Sequence, residues 1–146
     1  MDRSKTYQIY TNKTIGKIPC VEIQLGKQKK KKYRDTSVFF SQAAFQTLEE
    51  TIWDNYREYS SNSTVKIQVE EWVKIIKGFG ELTELLKTSE YNKELLGLLG
   101  YKSVLEKDEY KNNFPEINLE INRMLLEFIT WITPELDKNE YITICW

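Results

Sequence analysis

A run of basic residues between positions 27 and 34 is the strongest local feature of the sequence. Closely spaced ammonium groups bind phosphate oxygens, and Tyr33 beside the terminal arginine adds an aromatic face on which a base can stack. The segment is therefore a candidate loop for nucleic acid or another anionic partner. The alternative is a solvated turn between two strands, because lysine also guards strand edges against aggregation. The basic residues of this segment are Lys27, Lys29, Lys30, Lys31, Lys32 and Arg34.

Acidic residues form a second pattern on the predicted first helix. Glu49, Glu50, Asp54 and Glu58 lie opposite its apolar stripe, with Trp53 beside them. Carboxylates that face water attract a basic protein over long range, and tryptophan is enriched at the centres of protein interfaces. We therefore expect these five residues to bind a protein partner, the alternative being an ordinary solvated helix face. A similar acidic face on a later helix carries Glu116, Glu120 and Glu127.

The composition excludes several classes of catalytic site. The chain contains no histidine, which rules out Ser-His-Asp and Cys-His catalysis and histidine metal sites. Its two cysteines, Cys20 and Cys145, are too few for a zinc site or a disulfide framework. It also lacks a nucleophile elbow, a phosphate-binding loop and a dinucleotide glycine fingerprint. We expect a protein with no catalytic residue, metal or cofactor, and a small enzyme of unknown type is the alternative.

Apolar alternation at both ends of the sequence predicts the strands that must support these residues. Residues 18–25 and 141–146 alternate, and residues 6–10, 33–40 and 65–69 are rich in strand formers. The N-terminal strands predict an antiparallel meander. We expect the last strand to return to this sheet, because a lone strand has no other pairing partner.

Apolar residues at spacings of three and four predict four helices between the strands. Residues 101–113 are polar and are predicted to form a loop between the third and fourth helices. The sequence therefore predicts one α+β domain over residues 1–146, with a small antiparallel sheet of N-terminal strands plus the C-terminal strand packed against about four helices. The signals are an N-cap at Ser41, a first apolar stripe ending at Tyr59, Trp72 in the second helix, a C-terminal cap at Gly100, Pro115 in the first turn of the fourth helix and a stop at Pro134.

The charge is divided unevenly along the 146 residues. Residues 1–40 carry a net charge of +7 and residues 41–146 a net charge of −8, although the whole chain is only −1. Such a division indicates different partners for the two parts, or attraction between them. No apolar stretch approaches the roughly 20 residues that span a bilayer, and the polar start predicts no signal peptide. We expect a cytoplasmic protein that does not bind membranes.

In overall character the chain resembles the small immunity proteins of bacterial contact-dependent growth inhibition systems. The resemblance lies in the short N-terminal strands, the acidic first helix and the second-helix start at Glu70, Glu71 and Trp72, followed by Ile75 and Ile76. It implies a tight one-to-one complex with a cognate toxin, often a basic nuclease. The family shares no single motif, so the resemblance assigns no residue a role. The lysine-rich segment departs from a uniformly acidic surface, which keeps a nucleic-acid-associated protein using residues 27–34 as the alternative.

Overall fold

In the computed structural model, which describes residues 6–26, 34–88 and 90–146, four strands and four α-helices form an α+β fold. The predicted fold class is therefore confirmed. The strands are β1 Cys20–Leu25, β2 Val38–Ser41, β3 Val65–Gln68 and β4 Tyr141–Cys145. The helices are α1 Gln42–Asn55, α2 Val69–Leu86, α3 Lys93–Leu98 and α4 Val104–Ile132, followed by a short 3-10 helix at Thr133–Glu135.

The strands form one antiparallel sheet in the order β2-β1-β4-β3. β4 lies in the interior, where Ile144 is paired with Ile23 of β1 on one side and with Val65 of β3 on the other. The prediction that the N-terminal strands and the C-terminal strand share a sheet is confirmed. Because both edges of β4 are paired, it joins the β1–β2 hairpin to β3.

The helices pack on one face of this sheet. Phe128 of α4 lies at the centre of the core, with its ring 5.3 Å from Phe40, 6.0 Å from Trp72 and 6.1 Å from Phe79 between centroids. Trp72 Nε1 also donates a buried hydrogen bond of 2.9 Å to the carbonyl oxygen of Ile142, which fixes α2 to β4. The buried strand residues of this face include Val21, Ile23, Phe40, Ile67, Ile142 and Ile144.

The first helix begins where β2 ends. The Ser41 hydroxyl accepts a hydrogen bond of 3.1 Å from the amide of Ala44, so the predicted N-cap is confirmed. The helix ends at Asn55, because the backbone of Tyr56 is extended. The prediction that the helix continues along the apolar stripe to Tyr59 is therefore wrong. Tyr59 is nevertheless buried, since the loop after α1 turns back along the helix.

The loop predicted over residues 101–113 is wrong from Val104 onward. Ser103 and Glu106 form a reciprocal capping box that starts α4 there. Asn113 has a non-helical backbone two residues before Pro115, whose ring disfavours helical geometry before it, so α4 kinks instead of starting at this point. Neither α4 nor another helix of the described residues is long and apolar enough to cross a lipid bilayer.

The N-terminal strand prediction is only partly right. In residues 6–10, only Tyr10 pairs with the sheet, through an isolated antiparallel bridge to Phe39, and the chain then turns at Thr11. Tyr10, Phe39 and Ile15 form a small apolar cluster separate from the main core. The strand predicted over residues 33–40 is limited to β2, and residue 33 lies outside the described residues.

The two glycines of α2 provide a matched test of the α1–α2 contact. A methyl group on Gly78 would collide with the amide of Asn55 in α1 and lie 3.1 Å from the methyl of Thr51, whereas one on Gly80 would meet nothing within 4 Å. Gly80→Ala should stabilise the protein by up to about 1 kcal/mol, because alanine favours helix. Gly78→Ala should be at least about 1 kcal/mol less stable than Gly80→Ala, because overpacking offsets that gain.

The measurement is urea unfolding of the two variants beside the wild type. Gly78→Ala also displaces the Asn55 amide, which donates 2.9 Å to the Thr51 carbonyl. Equal stabilisation by both substitutions would show that α1 and α2 are not in close contact at Gly78.

Candidate functional site

An open groove of about 840 Å³ runs along the exposed side of α1 and is called the α1 groove below. Its other walls come from distant parts of the chain: the loop after α1, the segment between α3 and α4, and Trp146. Three of the five predicted docking residues, Glu49, Glu50 and Trp53, line it. The remaining α1 residues of its lining are Gln42, Ala43 and Gln46.

Helix geometry explains why this side of α1 is exposed. Phe45, Leu48 and Ile52 are buried against the core at spacings of three and four. Glu50 and Trp53 are three residues apart on another side of the helix, so they are neighbours on one face. Trp53 keeps 45% of its surface exposed, which is a large aromatic area for a position outside the core.

A tyrosine–carboxylate hydrogen bond forms the floor of the groove. The Tyr59 hydroxyl donates to Glu49 Oε2 at 2.7 Å, and Tyr59 itself is only 7% exposed. Burial, reinforced by the Glu49 carboxylate, raises the pKa of Tyr59 well above its ordinary value. The neutral phenol is therefore a stable donor, and Glu49 is held by its own chain instead of projecting toward a partner.

The segment after α3 forms the opposite wall. Gly100 adopts φ +74°, and the amide of Tyr101 donates 3.0 Å to the Leu96 carbonyl, as in a Schellman C-cap. Gln46 Nε2 of α1 donates a hydrogen bond of 2.9 Å to the Gly100 carbonyl oxygen. A Cβ on Gly100 would lie only 3.0 Å from the backbone carbonyl oxygen of Gln46. The predicted C-cap is confirmed, and it also brings this segment against α1.

A second, shallower groove of about 570 Å³ adjoins the first and shares Glu50, Gly100 and Lys102 with it. It adds Glu94 of α3 to the charged lining. Together the two grooves are lined by three glutamates, Glu49, Glu50 and Glu94, and by one lysine. The combined surface is therefore acidic.

The other two predicted docking residues lie outside the groove lining. Asp54 is exposed at the rim, 4.0 Å from a guanidinium nitrogen of Arg57. Glu58 was predicted on the helix face, but it follows the end of α1, and its Oε2 accepts 3.2 Å from the Tyr56 hydroxyl. Placing Glu58 on the helix was therefore wrong, because the helical spacing stops at Asn55.

The alternative basic site is only partly within the described residues. Lys27, Lys29, Lys30, Lys31 and Lys32 lie outside them. Arg34 lies within the described residues. Its side chain donates a hydrogen bond of 3.1 Å to the Leu25 carbonyl oxygen, and its backbone amide donates one of 3.0 Å to Glu22 Oε2. The Arg34 guanidinium is thus bound to the end of β1.

The second acidic helix face also lines a groove. Glu116, Glu120 and Glu127 of α4 border a volume of about 430 Å³ together with Arg123 and residues 7–9. This groove is half the volume of the α1 groove and, like the two adjoining grooves at α1, is lined by three glutamates and one basic residue. The α1 groove is the stronger candidate because it is larger and includes the exposed ring of Trp53.

Most groove residues that sequence reasoning missed come from segments distant from α1. Glu94, Lys102 and Trp146 have no spacing in the sequence that relates them to Trp53, whereas Gln46 lies seven residues before Trp53 on the same helix. Only the glycine cap at residue 100 gave a signal in this region, and that signal concerned local conformation. The contact between this cap and α1 required the fold.

The chemistry that the site offers is recognition by carboxylates, amides and aromatic rings. Among the described residues, no group of three or more Cys, Asp or Glu side chains is arranged to hold a metal ion. No protein-family model, curated protein or solved structure matches the chain. Function is therefore inferred from the residues of the α1 groove themselves.

Tyr59→Phe tests the hydrogen bond at the groove floor. The substitution keeps the ring and removes the donor to Glu49, so it should destabilise the protein by about 1.5–3 kcal/mol, as expected for a hydrogen bond to a charged group. Tyr56→Phe is the matched control, because its hydrogen bond to Glu58 is exposed and should cost less than about 0.5 kcal/mol. Urea unfolding at neutral pH measures both, and equal losses would contradict the structure.

The stability contributed by Glu106, beside the groove wall, depends on pH. Its carboxylate accepts a hydrogen bond from the Ser103 amide, which lowers its pKa below the ordinary 4.5, and it lies 3.3 Å from Gln46 Nε2. A lowered folded-state pKa contributes stability above the ordinary value, and this contribution is lost as the pH falls through the folded-state value. Glu106→Gln should therefore lower the melting temperature at pH 7, and this difference from the wild type should shrink as the pH is lowered below 4.5. A difference that stays constant with pH would exclude the ionised carboxylate as the cause.

Proposed function

We propose that the protein is a non-enzymatic binding protein that neutralises a basic protein partner by holding it in the α1 groove, as an immunity protein neutralises its toxin. The observation that carries the proposal is the convergence of Glu50 and Trp53 of α1 with Glu94 of α3 on one acidic surface. The resemblance to contact-dependent growth inhibition immunity proteins supplies the kind of partner, a bacterial toxin in the cytoplasm.

The charge of the groove supports a basic partner. Three carboxylates and one ammonium group line the two adjoining grooves, while the exposed carboxylate of Asp54 is paired with Arg57. Exposed charges of one sign speed the association of an oppositely charged protein. This effect weakens as salt shortens the range of the field to about 10 Å at 0.1 M.

The aromatic residues of the groove support a protein partner over a small ion. Trp53 offers an exposed indole, and Trp146 belongs to the same lining, with its ring perpendicular to that of the core residue Phe45. Tryptophan side chains in partly enclosed surfaces bury large areas when a partner covers them. The groove thus combines an electrostatic attraction with an apolar contact surface.

The experiment is growth rescue by co-expression with the polypeptide encoded immediately upstream of this gene, followed by purification of the complex. Charge reversal locates the interface. Glu50→Lys with Asp54→Lys should slow association at low salt and reduce its dependence on ionic strength. The fold should stay intact because Asp54 is exposed and Glu50 is half-buried at the surface, where a substitution usually changes stability by about 0.5 kcal/mol or less. Stopped-flow association at several salt concentrations measures the effect.

Glu81→Lys with Asp137→Lys is the matched control, since both residues are exposed and neither lines the α1 groove. This control should leave the association rate much closer to that of the wild type. Absence of both rescue and complex would refute the proposal. If rescue is lost instead when the four lysines at positions 29–32 are substituted, the site lies at residues 27–34 and an anionic partner is favoured.

A further inference from the structure

The exposed indole of Trp53 is already in contact with a cation of the same chain, the guanidinium group of Arg57. The guanidinium carbon of Arg57 lies 3.8 Å from the centroid of the Trp53 ring, and one of its nitrogens is 4.0 Å from Asp54 Oδ1. All three side chains are at the surface, with Arg57 63% exposed. An aromatic face and a carboxylate thus hold one planar cation at the rim of the α1 groove.

This arrangement has the chemistry of an arginine-binding position. A guanidinium group stacks its plane on tryptophan while its edge donates paired hydrogen bonds to a carboxylate, whereas a lysine ammonium is a point charge with no plane to stack. Glu50 lies one helical turn before Trp53 and Asp54, so a second carboxylate borders the same place. Glu50 also lines the α1 groove, which connects this position to the proposed interface.

We propose that Trp53, Asp54 and Glu50 form a binding position for an arginine side chain of the partner, and that Arg57 occupies this position in the free protein. The inference rests on the proposed function in one respect, that the partner is a basic protein. It adds the side chain that the partner inserts and the residue that must leave.

Arg57 is suited to such an exchange because, within the described part of the chain, its guanidinium contacts are the Trp53 ring and the long ion pair with Asp54. It lies beyond the end of α1, after the extended residue Tyr56, and its ion pair with Asp54 is at the long limit of such contacts. A guanidinium that leaves the Trp53 face is replaced by another guanidinium, so the stacking contact is preserved. Arg57 thus keeps the indole covered until a better-placed arginine arrives.

The test uses two peptides, acetylated and amidated tetra-arginine and tetra-lysine, titrated at low ionic strength by calorimetry and tryptophan fluorescence. Arg57→Ala should bind tetra-arginine about two- to fivefold more tightly than the wild type, the factor that corresponds to an exposed cation–π contact. The same variant should prefer tetra-arginine to tetra-lysine, and adding Trp53→Leu should abolish that preference.

Lys102→Ala is the matched control for charge. It removes one positive charge from the groove lining but leaves Trp53 covered, so it should change the affinity for the two peptides by equal factors. Unchanged tetra-arginine affinity in Arg57→Ala would overturn the inference. An equal gain in affinity for tetra-arginine and tetra-lysine in Arg57→Ala would also overturn it, because an equal gain reflects only the loss of one positive charge.

The peptide assay separates this inference from the proposed function, because it requires no cognate toxin. Arginine selectivity without growth rescue would keep the binding position and refute neutralisation of the upstream polypeptide. Growth rescue without arginine selectivity would refute the binding position and leave the proposed function standing.

Discussion

The pairing of β4 with both β1 and β3 is the constraint on which the rest of the molecule depends. Ile142 and Ile144 of β4 are fully buried, and Ile144 pairs across both neighbours. The indole of Trp72 binds the β4 backbone, so α2 is fixed to the same strand. Because β3 leads directly into α2 and β2 directly into α1, the position of β4 sets the relative placement of both helices.

The α1 groove is a consequence of this placement. Ser41 ends β2 and caps α1, so the sheet determines where the helix starts and which side it buries. Trp146 follows β4 directly and therefore reaches the groove beside Tyr59. The α1 residues of the lining are held in place by the opposite side of the helix, where Phe45, Leu48 and Ile52 pack in the core.

Local signals made much of the fold predictable from the sequence. The alternation around Ile142 and Ile144, the cap at Ser41 and the glycine at residue 100 each act over a few residues, and each predicted what the structure contains. The start of α4 was missed although Ser103 and Glu106 have the spacing of a capping box, because the polar composition of the segment favoured a loop.

The candidate site was only half predictable for a different reason. The exposure of Glu50 and Trp53 follows from helical spacing, whereas the end of α1 at Asn55 depends on the chain turning back so that Tyr59 can be buried. That return changes the roles of two predicted residues, since Glu49 becomes an acceptor for Tyr59 and Glu58 leaves the helix. Tertiary packing of this kind has no signature in a local pattern.

The interior position of β4 also affects the rate at which the chain folds. Its contacts with β1 join residues far apart in sequence, as in the hydrogen bond from Thr143 to the Gly26 carbonyl, which spans 117 residues. Such closures carry an entropic cost that must be met before the pairing stabilises the fold, so they slow folding. The β1–β2 hairpin and β3 have no direct pairing with each other, so the sheet is assembled only when β4 arrives. Until β4 pairs with them, the facing edges of β1 and β3 lack strand partners, and unpaired edges of this kind favour pairing with other chains.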